Sequence, residues 1–268
     1  MNDNSYDAII AGAGPAGCAA AMTLAKAGRQ VLVLEKEAFP REKVCGDGIT
    51  GGSLKLLNSL GVLDYMAACE HTVITKVQII APSGHVLHAD LKETSPGIDS
   101  AWGLPRKRFD AALADHVRKL PQVTLRENMP VKELLRDNSD TVCGVRAGRG
   151  QTQEEFCAPV SIGADGAHSK IARDAGLYNT DPKHRAFAIR AYYENVSGLS
   201  DTVVAYYDDT VAPGYGWIIP NGPTTANVGV GIYQRFESAR TIRHLFDNFI
   251  GNNPLVAEHL QGARMRED

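Results

Sequence analysis

The sequence predicts an α/β fold of mixed α+β character, in which a parallel-sheet domain is interrupted by a second, β-rich domain. A strand, a glycine-rich turn, a helix and another strand follow one another before residue 36. A second buried strand that ends in a turn appears near residue 160, and largely strand-like segments fill residues 185–233. The chain of 268 residues is 44% hydrophobic, which is enough for a sizeable core.

The opening stretch "DAIIAGAGPAGCAAA" predicts a strand that turns sharply into a helix. Tyr6–Ala11 is a short apolar run ended by glycine, typical of a buried parallel strand. The helix is expected over Pro15–Ala27, with proline in its first turn and Gly28 after its end. Gln30–Glu35 is the next strand, so the unit has the order of a Rossmann half-unit. Nothing later repeats it, which predicts one nucleotide site.

The remaining elements alternate between helical and strand-like patterns. In "PRKRFDAALADHVRKL" the apolar residues recur at helical spacing, which predicts an amphipathic helix from about Arg106. The full series is a loop at 36–48, a helix near 50–60, strands at 73–80 and 85–91, the Arg106 helix, a small meander of "VTLREN", "VKELLRD" and "TVCGVRA", a buried strand at 159–166, a helix at 168–175, strands through 185–233 and a helix near Ser238–Ile250. We therefore predict a Rossmann-type domain of residues 1–72 and 101–180, and a β-rich domain of residues 73–100 and 181–268.

Composition excludes several classes of function. The 28 basic and 31 acidic residues give a net charge of −3, without the basic excess that nucleic-acid binding needs. Five scattered cysteines without a Cys-x-x-Cys pair predict neither a disulfide framework nor a zinc site, and the histidines form no ligand cluster, so we expect a cytoplasmic protein without a metal. Glycines and a proline interrupt the uncharged stretch 8–25, and no basic region precedes it, so we expect neither a membrane span nor a signal peptide.

The turn Gly12-x-Gly14-x-x-Gly17 has the context of a dinucleotide-binding site, because it joins a strand to a helix and is followed by Glu35 at the tip of the next strand. Gly12 permits the tight turn, Gly14 allows a pyrophosphate to approach the backbone, and Gly17 lets the helix pack closely on the sheet. Glu35 would accept hydrogen bonds from the ribose hydroxyls of an adenosine. A tight turn without a ligand is the alternative, and the glycines alone do not distinguish FAD from NAD.

In these and further motifs, the chain resembles the flavin-dependent family built on the para-hydroxybenzoate hydroxylase fold, and in particular its geranylgeranyl reductase branch. The segments "GAGPAG", "LEK", "KVCGDGIT", "LPRKRFD", "GADGAHSKIAR" and "YGWIIPNGPTTANVGVG" follow one another in the order of that family. The resemblance implies a Rossmann-type FAD-binding domain with an inserted β-rich substrate domain. It also implies that the first motif, with Pro15 and Ala16, and the "LEK" segment, with Lys36, bind the ADP half of FAD.

The resemblance assigns further flavin contacts. It places Asp165 and Gly166 near the flavin pyrophosphate and ribose, although Asp-Gly is otherwise a common turn dipeptide. Arg173 is not carried over, because the family has its arginine one position earlier, where this chain has Ala172. Arg106 would contact the phosphate or ribitol side of the flavin, and an ordinary solvated arginine is the alternative.

The loop "REKVCGDGI" joins glycines and charged residues to a cysteine. By resemblance it passes beside the isoalloxazine ring, with its flavin contacts at Arg41, Cys45, Gly46, Asp47 and Gly48. Cys45 is the predicted catalytic residue, a proton donor for double-bond reduction, because an unperturbed thiol with a pKa near about 8.5 is mostly protonated at neutral pH. A small residue packed beside the flavin is the alternative for this position.

The segment from Pro213 to Gly231 supplies the predicted substrate site. Period-two alternation puts Gly216 and Ile218 on one face of a strand and Tyr215 and Trp217 on the other. Aromatic side chains on one face of a sheet can line an apolar channel. The reductase branch has a similar signature, and the residues that match it, and so are implied to bind substrate, are Tyr215, Trp217, Pro220, Gly229 and Gly231. Ile219 departs from the phenylalanine usual there, which leaves the shape of the channel open. Buried core aromatics are the alternative.

The predicted function is that of an FAD-dependent oxidoreductase which reduces C=C bonds of an isoprenoid or lipid substrate, with electrons from NADPH or a ferredoxin-type donor. An aromatic monooxygenase or halogenase on the same fold, and a non-catalytic flavin-binding fragment, are the alternatives. A lipid substrate would bring the protein into peripheral contact with a membrane. The family's third flavin motif, a Gly-Asp segment that opens a long helix, is not found in the sequence, and we expect a truncated version of a longer protein.

Overall fold

The computed structural model describes residues 6–94, 97, 99–179, 181–233 and 239–266. Its helices are α1 (Pro15–Lys26), α2 (Gly51–Ser59), α3 (Leu63–Ala67), α4 (Leu91–Thr94), α5 (Arg106–Arg118), α6 (Lys170–Asp174), α7 (Ala239–Asn252) and α8 (Pro254–His259). Its strands are β1 (Ala8–Ala11), β2 (Val31–Leu34), β3 (Gly48–Ile49), β4 (Thr72–Ile74), β5 (Lys76–Ile80), β6 (Val86–Asp90), β7 (Ala101–Gly103), β8 (Val123–Arg126), β9 (Val131–Arg136), β10 (Val142–Arg149), β11 (Thr152–Cys157), β12 (Ser161–Gly163), β13 (Ala186–Glu194), β14 (Thr202–Tyr206), β15 (Tyr215–Pro220), β16 (Thr225–Tyr233) and β17 (Arg264–Met265). The fold is the predicted mixture of α and β structure.

The chain forms two compact units, each assembled from separate segments. Unit 1 contains Met1–Glu42, Leu57–Ala68 and Lys107–Asn179. Unit 2 contains Lys43–Leu56, Cys69–Arg106 and Thr180–Asp268. The domain boundaries drawn from the sequence stay a prediction.

Unit 1 is built on a four-stranded parallel sheet with the order β12-β1-β2-β8. Strands β1 and β2 are buried at every position, as expected for apolar parallel strands. Apolar residues of this sheet form a core with residues of the antiparallel sheet β9-β10-β11, among them Ile9, Leu32, Val145 and Phe156. The predicted strand, helix and strand of the opening motif are therefore confirmed.

One sequence prediction about unit 1 is wrong. "VTLREN" was expected in the meander, but β8 pairs in parallel with β2, from Val31 opposite Val123 to Leu34 opposite Arg126. The reason is that the local pattern of a strand does not determine which sheet it joins, and β8 occupies the edge of the parallel sheet beside β2. The meander instead contains β11, which the sequence analysis missed.

Unit 2 is built on a seven-stranded sheet with the order β17-β13-β16-β15-β14-β5-β6, and a small sheet β3-β7-β4. The predicted strand at 73–80 is in fact two strands, β4 and β5, which belong to different sheets. The strand is interrupted at Thr75, whose backbone N–H donates to the carbonyl of Asp201. Helix α7 contributes Phe249 to the core, where its ring meets that of Tyr206 edge-on at 5.0 Å. The predicted start of this helix at Ser238 lies outside the described residues. No helix in the described part is long and apolar enough to cross a membrane.

Candidate functional site

The glycine turn of unit 1 gives each predicted glycine a separate steric role. Gly12 has φ +96°, and a methyl group there would lie 2.5 Å from the carbonyl oxygen of Ala164. A methyl group at Gly17 would overlap the carbonyl oxygen of Gly12, so α1 can lie close to the sheet only without a side chain. At Gly14 a methyl group would meet one atom within 4 Å, the Nη2 of Arg41 at 3.9 Å. Gly12 and Gly17 are required by packing, whereas Gly14 borders open space.

The open space at Gly14 lies at the amino end of α1. Gly14 is the residue before the helix and provides no side-chain cap, and Pro15 is its first residue. Pro15 is half-buried and Ala16 is exposed. The free N–H groups and positive dipole end of such a helix favour a phosphate group. The arrangement fits the diphosphate of a dinucleotide, because the glycine at the point of approach is the one that packing does not require.

Glu35 and Arg41 form a buried charged cluster beside this turn. Glu35 is 3% exposed, and its Oε2 accepts a hydrogen bond of 2.8 Å from the backbone N–H of Ala13. The Arg41 guanidinium lies 3.4 Å from Glu35 Oε1 and donates to Asp110 Oδ2 at 2.8 Å. Glu35 therefore fixes the turn itself, in addition to its predicted role at a ribose. Sequence reasoning missed Asp110, which faces this cluster from the buried side of helix α5.

The other predicted cofactor residues of unit 1 are placed differently. Lys36 is exposed, and its carbonyl oxygen accepts a hydrogen bond of 2.6 Å from Arg149. Asp165 follows β12, next to the turn at Gly12, and its Oδ2 accepts from the backbone N–H of Lys170 at 2.6 Å, at the start of α6. Gly166 has φ +88°, a conformation that favours glycine. The Asp165 carboxylate thus holds a helix start, and its contact with a flavin stays a prediction.

In unit 2 the loop Cys45–Gly48 is held by a buried carboxylate. Asp47 is 1% exposed and adopts φ +65°, and its Oδ1 accepts a hydrogen bond of 3.1 Å from the backbone N–H of Arg106. Its Oδ2 accepts from Nδ2 of Asn227 at 2.9 Å and of Asn221 at 3.3 Å. Burial raises the pKa of Asp47, against the lowering effects of Asn227, Tyr192, the Arg106 backbone and Arg190. Asp47 is therefore the anchor of the loop.

The rest of this loop lies on the large sheet. Gly46 passes close to Trp217, because a methyl group on Gly46 would lie 3.5 Å from the indole Nε1. Cys45 is half-buried, without a disulfide, and its carbonyl accepts a hydrogen bond of 2.7 Å from Asn227. Gly48 is exposed and begins β3. The structure brings the loop and the predicted substrate residue Trp217 together within unit 2.

The predicted alternation along β15 is confirmed. Gly216 and Ile218 face the α7 side, since a methyl group on Gly216 would lie 2.7 Å from Phe249 and Ile218 belongs to the same core. Tyr215 and Trp217 lie on the opposite face with ring centroids 5.5 Å apart. Trp217 is 8% exposed and Tyr215 43% exposed, so the aromatic row runs from the interior to the surface.

Gly229 and Gly231 accommodate these two rings. Gly229 pairs with Trp217 across the sheet, and Gly231 pairs with Tyr215. A methyl group on Gly229 would lie 2.6 Å from Trp217 Cε2, and one on Gly231 would lie 2.9 Å from Tyr215 Cε1. Each ring therefore lies over the backbone of the neighbouring strand. Pro220, the fifth predicted residue, is buried at the end of β15 and pairs with Ala226.

Sequence reasoning missed Asn227, which joins these parts. Its side chain bonds to the Cys45 carbonyl, to Asp47 and to Trp217. The signal was present, because Asn227 lies two residues before Gly229 on one strand and so shares a face with it. An amide among small and apolar residues of a predicted buried strand indicates a fixed polar contact.

The parallel sheet, the glycine turn and the acidic residue at the tip of β2 together define a dinucleotide-binding domain. Residues 5–214 match the FAD binding domain family. The chain therefore belongs to that family, and FAD is the dinucleotide that its turn fits. Residues 186–263 also match the geranylgeranyl reductase catalytic domain, which confirms the resemblance to that branch.

Curated relatives and solved structures agree with this assignment. The chain is 32% identical over 266 residues to digeranylgeranylglycerophospholipid reductase 1 of Methanococcoides burtonii, and this alignment covers 97% of the chain and 63% of the relative. It is 31% identical over 245 residues to the menaquinone reductase of Mycobacterium tuberculosis, with 85% of the chain and 55% of the relative covered. A solved geranylgeranyl bacteriochlorophyll reductase-like protein from Thermoplasma acidophilum superposes with a TM-score of 0.86 at 25% identity, covering 98% of the chain and 65% of the other. The chain thus spans less than two thirds of each of them.

Proposed function

We propose that this chain carries the FAD-binding and substrate-binding parts of an FAD-dependent reductase that saturates C=C bonds in an isoprenoid or similarly apolar lipid chain. The observation that carries the proposal is the aromatic face of β15, where Trp217 and Tyr215 lie over two glycines and Trp217 adjoins the Cys45–Gly48 loop. The matched geranylgeranyl reductase catalytic domain supports the same reading.

The FAD contacts follow from the glycine turn. The diphosphate would lie at the amino end of α1 beside Gly14, near the guanidinium of Arg41, and the adenosine ribose would approach Glu35. When bound, FAD supplies the hydride chemistry that amino-acid side chains lack. The contacts of Asp165 and of the Cys45–Gly48 loop with the flavin belong to this proposal.

The substrate would lie on an apolar row that crosses the sheet. In register with Trp217 come Ala205 of β14, Ile79 of β5 and Leu87 of β6. Directly paired residues project from the same face, so this row spans three strand spacings, roughly 14 Å at about 4.8 Å each. Leu87, at the outer end, is 59% exposed. An extended hydrocarbon chain suits such a surface, because burying apolar groups drives its binding without polar partners.

Reduction of a C=C bond needs a proton as well as a hydride, and Cys45 Sγ is the proposed donor. Its loop is anchored by Asp47 and lies beside the aromatic face. The test compares Cys45→Ser with the wild type in single-turnover oxidation of the reduced flavoprotein by an alkene. We expect a slower rate in the variant, and an unchanged rate would remove Cys45 from the reaction.

The FAD site is tested by Gly14→Ala. The new methyl group meets open space, so we expect the free energy of unfolding to fall by only about 0.5–1 kcal/mol, because alanine is less favourable than glycine immediately before a helix. FAD binding, followed by quenching of flavin fluorescence, should weaken strongly because the methyl group occupies the approach of the diphosphate. Gly251→Ala, at an exposed helical glycine with no atoms within 4 Å, is the control. Equal FAD affinity in the wild type, Gly14→Ala and Gly251→Ala would contradict a diphosphate site at Gly14.

The reaction is tested on the FAD-loaded protein, reduced by dithionite without oxygen and mixed with a geranylgeranyl lipid in micelles. We expect reoxidation of the flavin and a product heavier by pairs of hydrogen atoms in the mass spectrum. Substrate-stimulated oxygen uptake with an oxygenated product would instead support a monooxygenase. A protein that binds FAD but, when reduced, is reoxidised by neither the alkene nor oxygen with substrate turnover would support a non-catalytic flavin-binding fragment.

The electron donor and the location belong to the same proposal. NADPH or a ferredoxin-type protein would reduce the flavin, with NADPH binding transiently because the sequence has a single Rossmann half-unit. A cytoplasmic protein in peripheral contact with a membrane would reach a lipid substrate. Comparing the rates of flavin reduction by NADPH and by reduced ferredoxin identifies the donor.

A further inference from the structure

Asn227 is a fully buried amide at the centre of unit 2. It is 0% exposed, in the middle of the sheet between β13 and β15. Its Nδ2 donates hydrogen bonds to the carbonyl oxygen of Cys45 at 2.7 Å and to Asp47 Oδ2 at 2.9 Å. Its Oδ1 accepts a hydrogen bond of 2.9 Å from Nε1 of Trp217. Both amide hydrogens and the carbonyl oxygen are therefore engaged.

The partners determine the orientation of this amide. The indole Nε1 of Trp217 can only donate, and the carbonyl of Cys45 can only accept. Reversing the amide would place a donor against the indole and an acceptor against the carbonyl, which would break both bonds. One side-chain orientation therefore satisfies all three partners.

An amide in this position is costly unless all its hydrogen bonds are made, so its partners hold it in place. Asparagine is disfavoured inside strands, and burying an amide is unfavourable unless its hydrogen bonds are made. The preceding and following residues, Ala226 and Val228, are part of the apolar core on the opposite face. Among the described residues, the side chain of Asn227 bonds to the Cys45–Gly48 loop and to Trp217 on the aromatic face.

We propose that Asn227 is a positioning residue that couples the Cys45–Gly48 loop to the indole of Trp217, so that the loop and the aromatic face of β15 keep one relative geometry. This inference rests on the proposed function, which assigns the loop to the flavin and Trp217 to the substrate. Asn227 acts through the backbone of Cys45 and through Trp217.

The coupling has a structural basis on both sides. On the loop side, Asp47 has a left-handed backbone and depends on side-chain and backbone donors to stay buried. On the sheet side, the Trp217 ring lies over Gly229, so its plane is defined by packing and its Nε1 by Asn227. Loss of Asn227 therefore releases the loop and the indole together.

The first test observes the indole directly, without cofactor or substrate. The chain contains two tryptophans, so ¹⁵N-tryptophan labelling in a Trp102→Phe background leaves the Trp217 Nε1–H as one signal. In Asn227→Leu we expect a shifted signal and exchange with solvent at least about tenfold faster, because its acceptor is gone. In Asn227→Asp the oxygen acceptor remains, and the signal should keep most of its protection.

Asn253→Leu is the matched control. Asn253 is also buried in unit 2, and its side chain bonds to Asp208, Thr210 and the first backbone N–H groups of α8. Its loss should lower stability without changing the Trp217 signal. An unchanged Trp217 signal in Asn227→Leu, or an equal change in Asn253→Leu, would overturn the proposal. If Asn227→Leu does not fold, the smaller variant Asn227→Ala, which also removes the acceptor of the Trp217 Nε1–H, decides the question by the same measurement.

The second test asks whether the loop follows. In Asn227→Asp a second carboxyl group lies beside Asp47, with Tyr192 and Arg190 on β13 and Cys45 on the loop as the other titratable or charged neighbours. Two adjacent carboxylates resist ionising together, so FAD affinity should fall about tenfold at pH 8 and recover toward pH 5. Wild-type affinity should not show this recovery. An FAD affinity of Asn227→Asp equal to the wild type at every pH would overturn the coupling.

The two tests separate this inference from the proposed function. A wild type that binds no FAD would contradict the proposed function, and the indole measurement would still decide whether Asn227 holds Trp217. A wild type that binds FAD, together with an Asn227→Leu variant whose indole is released while FAD affinity and flavin absorbance are unchanged, would overturn the inference alone.

Discussion

Gly229→Ala tests the pairing of glycine with tryptophan across β15 and β16. Gly229 does not have a left-handed backbone, so alanine introduces no strain of conformation and the effect is one of space. The added methyl group would lie 2.6 Å from Trp217 Cε2 and 2.7 Å from the carbonyl oxygen of Ile189. A backbone atom on one side and a buried indole on the other leave the group no room.

The expected loss follows from overpacking. Inserting a methyl group into a tight core costs about 1–3 kcal/mol, and the upper half of that range applies because Trp217 is buried and hydrogen-bonded. Gly231→Ala should cost less, under about 1 kcal/mol, because the half-exposed ring of Tyr215 can move into solvent. A loss of about 2 kcal/mol changes the unfolding equilibrium roughly 30-fold.

Urea unfolding of the two variants, followed by fluorescence in the Trp102→Phe background, measures both effects. Emission from Trp217 should move to longer wavelength in Gly229→Ala, because the displaced indole becomes more exposed. Gly251→Ala, at an exposed helical position without neighbours, should be neutral or stabilising by up to about 1 kcal/mol. If Gly229→Ala keeps the stability and emission of its parent, the glycine does not provide space for the ring.

Two further predictions concern the buried carboxylates. Arg41→Ala removes the guanidinium that Glu35 and Asp110 share and should lower the free energy of unfolding, measured in urea, by about 3 kcal/mol. The control Lys107→Ala breaks an exposed ion pair and should change this free energy by less than about 1 kcal/mol. Similar losses in the two variants would contradict the argument. Burial raises the pKa of Asp47 in the folded state, so the stability that its protonated form contributes is present at low pH and lost as the pH rises through the raised folded value. The free energies of unfolding of the wild type and of Asp47→Asn are compared between about pH 4 and pH 8. The wild type should lose stability relative to the variant as the pH rises. A difference that stays constant with pH would indicate that the folded and unfolded pKa values of Asp47 are alike.

The sequence was sufficient for the nucleotide-binding part, because its signals are local. Gly12, Gly14 and Gly17 lie within one turn and Glu35 at the end of the next strand, so spacing alone predicts their arrangement. The alternation along β15 is equally local, since successive side chains of a strand must face opposite ways.

What the sequence could not supply is pairing between distant segments. The position of β8 depends on which strand it joins after α5, and the cluster at Arg41 depends on Asp110, 69 residues further along the chain. Asn227 and Cys45 are separated by 182 residues. Local patterns carry no information about such partners, because register and packing are set by the assembled fold.

Because each aromatic ring lies over a glycine of the adjacent strand, the tyrosine-tryptophan and Gly-x-Gly signatures form one packed unit. A residue larger than glycine at position 229 meets both the Trp217 ring and the carbonyl oxygen of Ile189, so a smaller residue in place of Trp217 does not by itself make room for it.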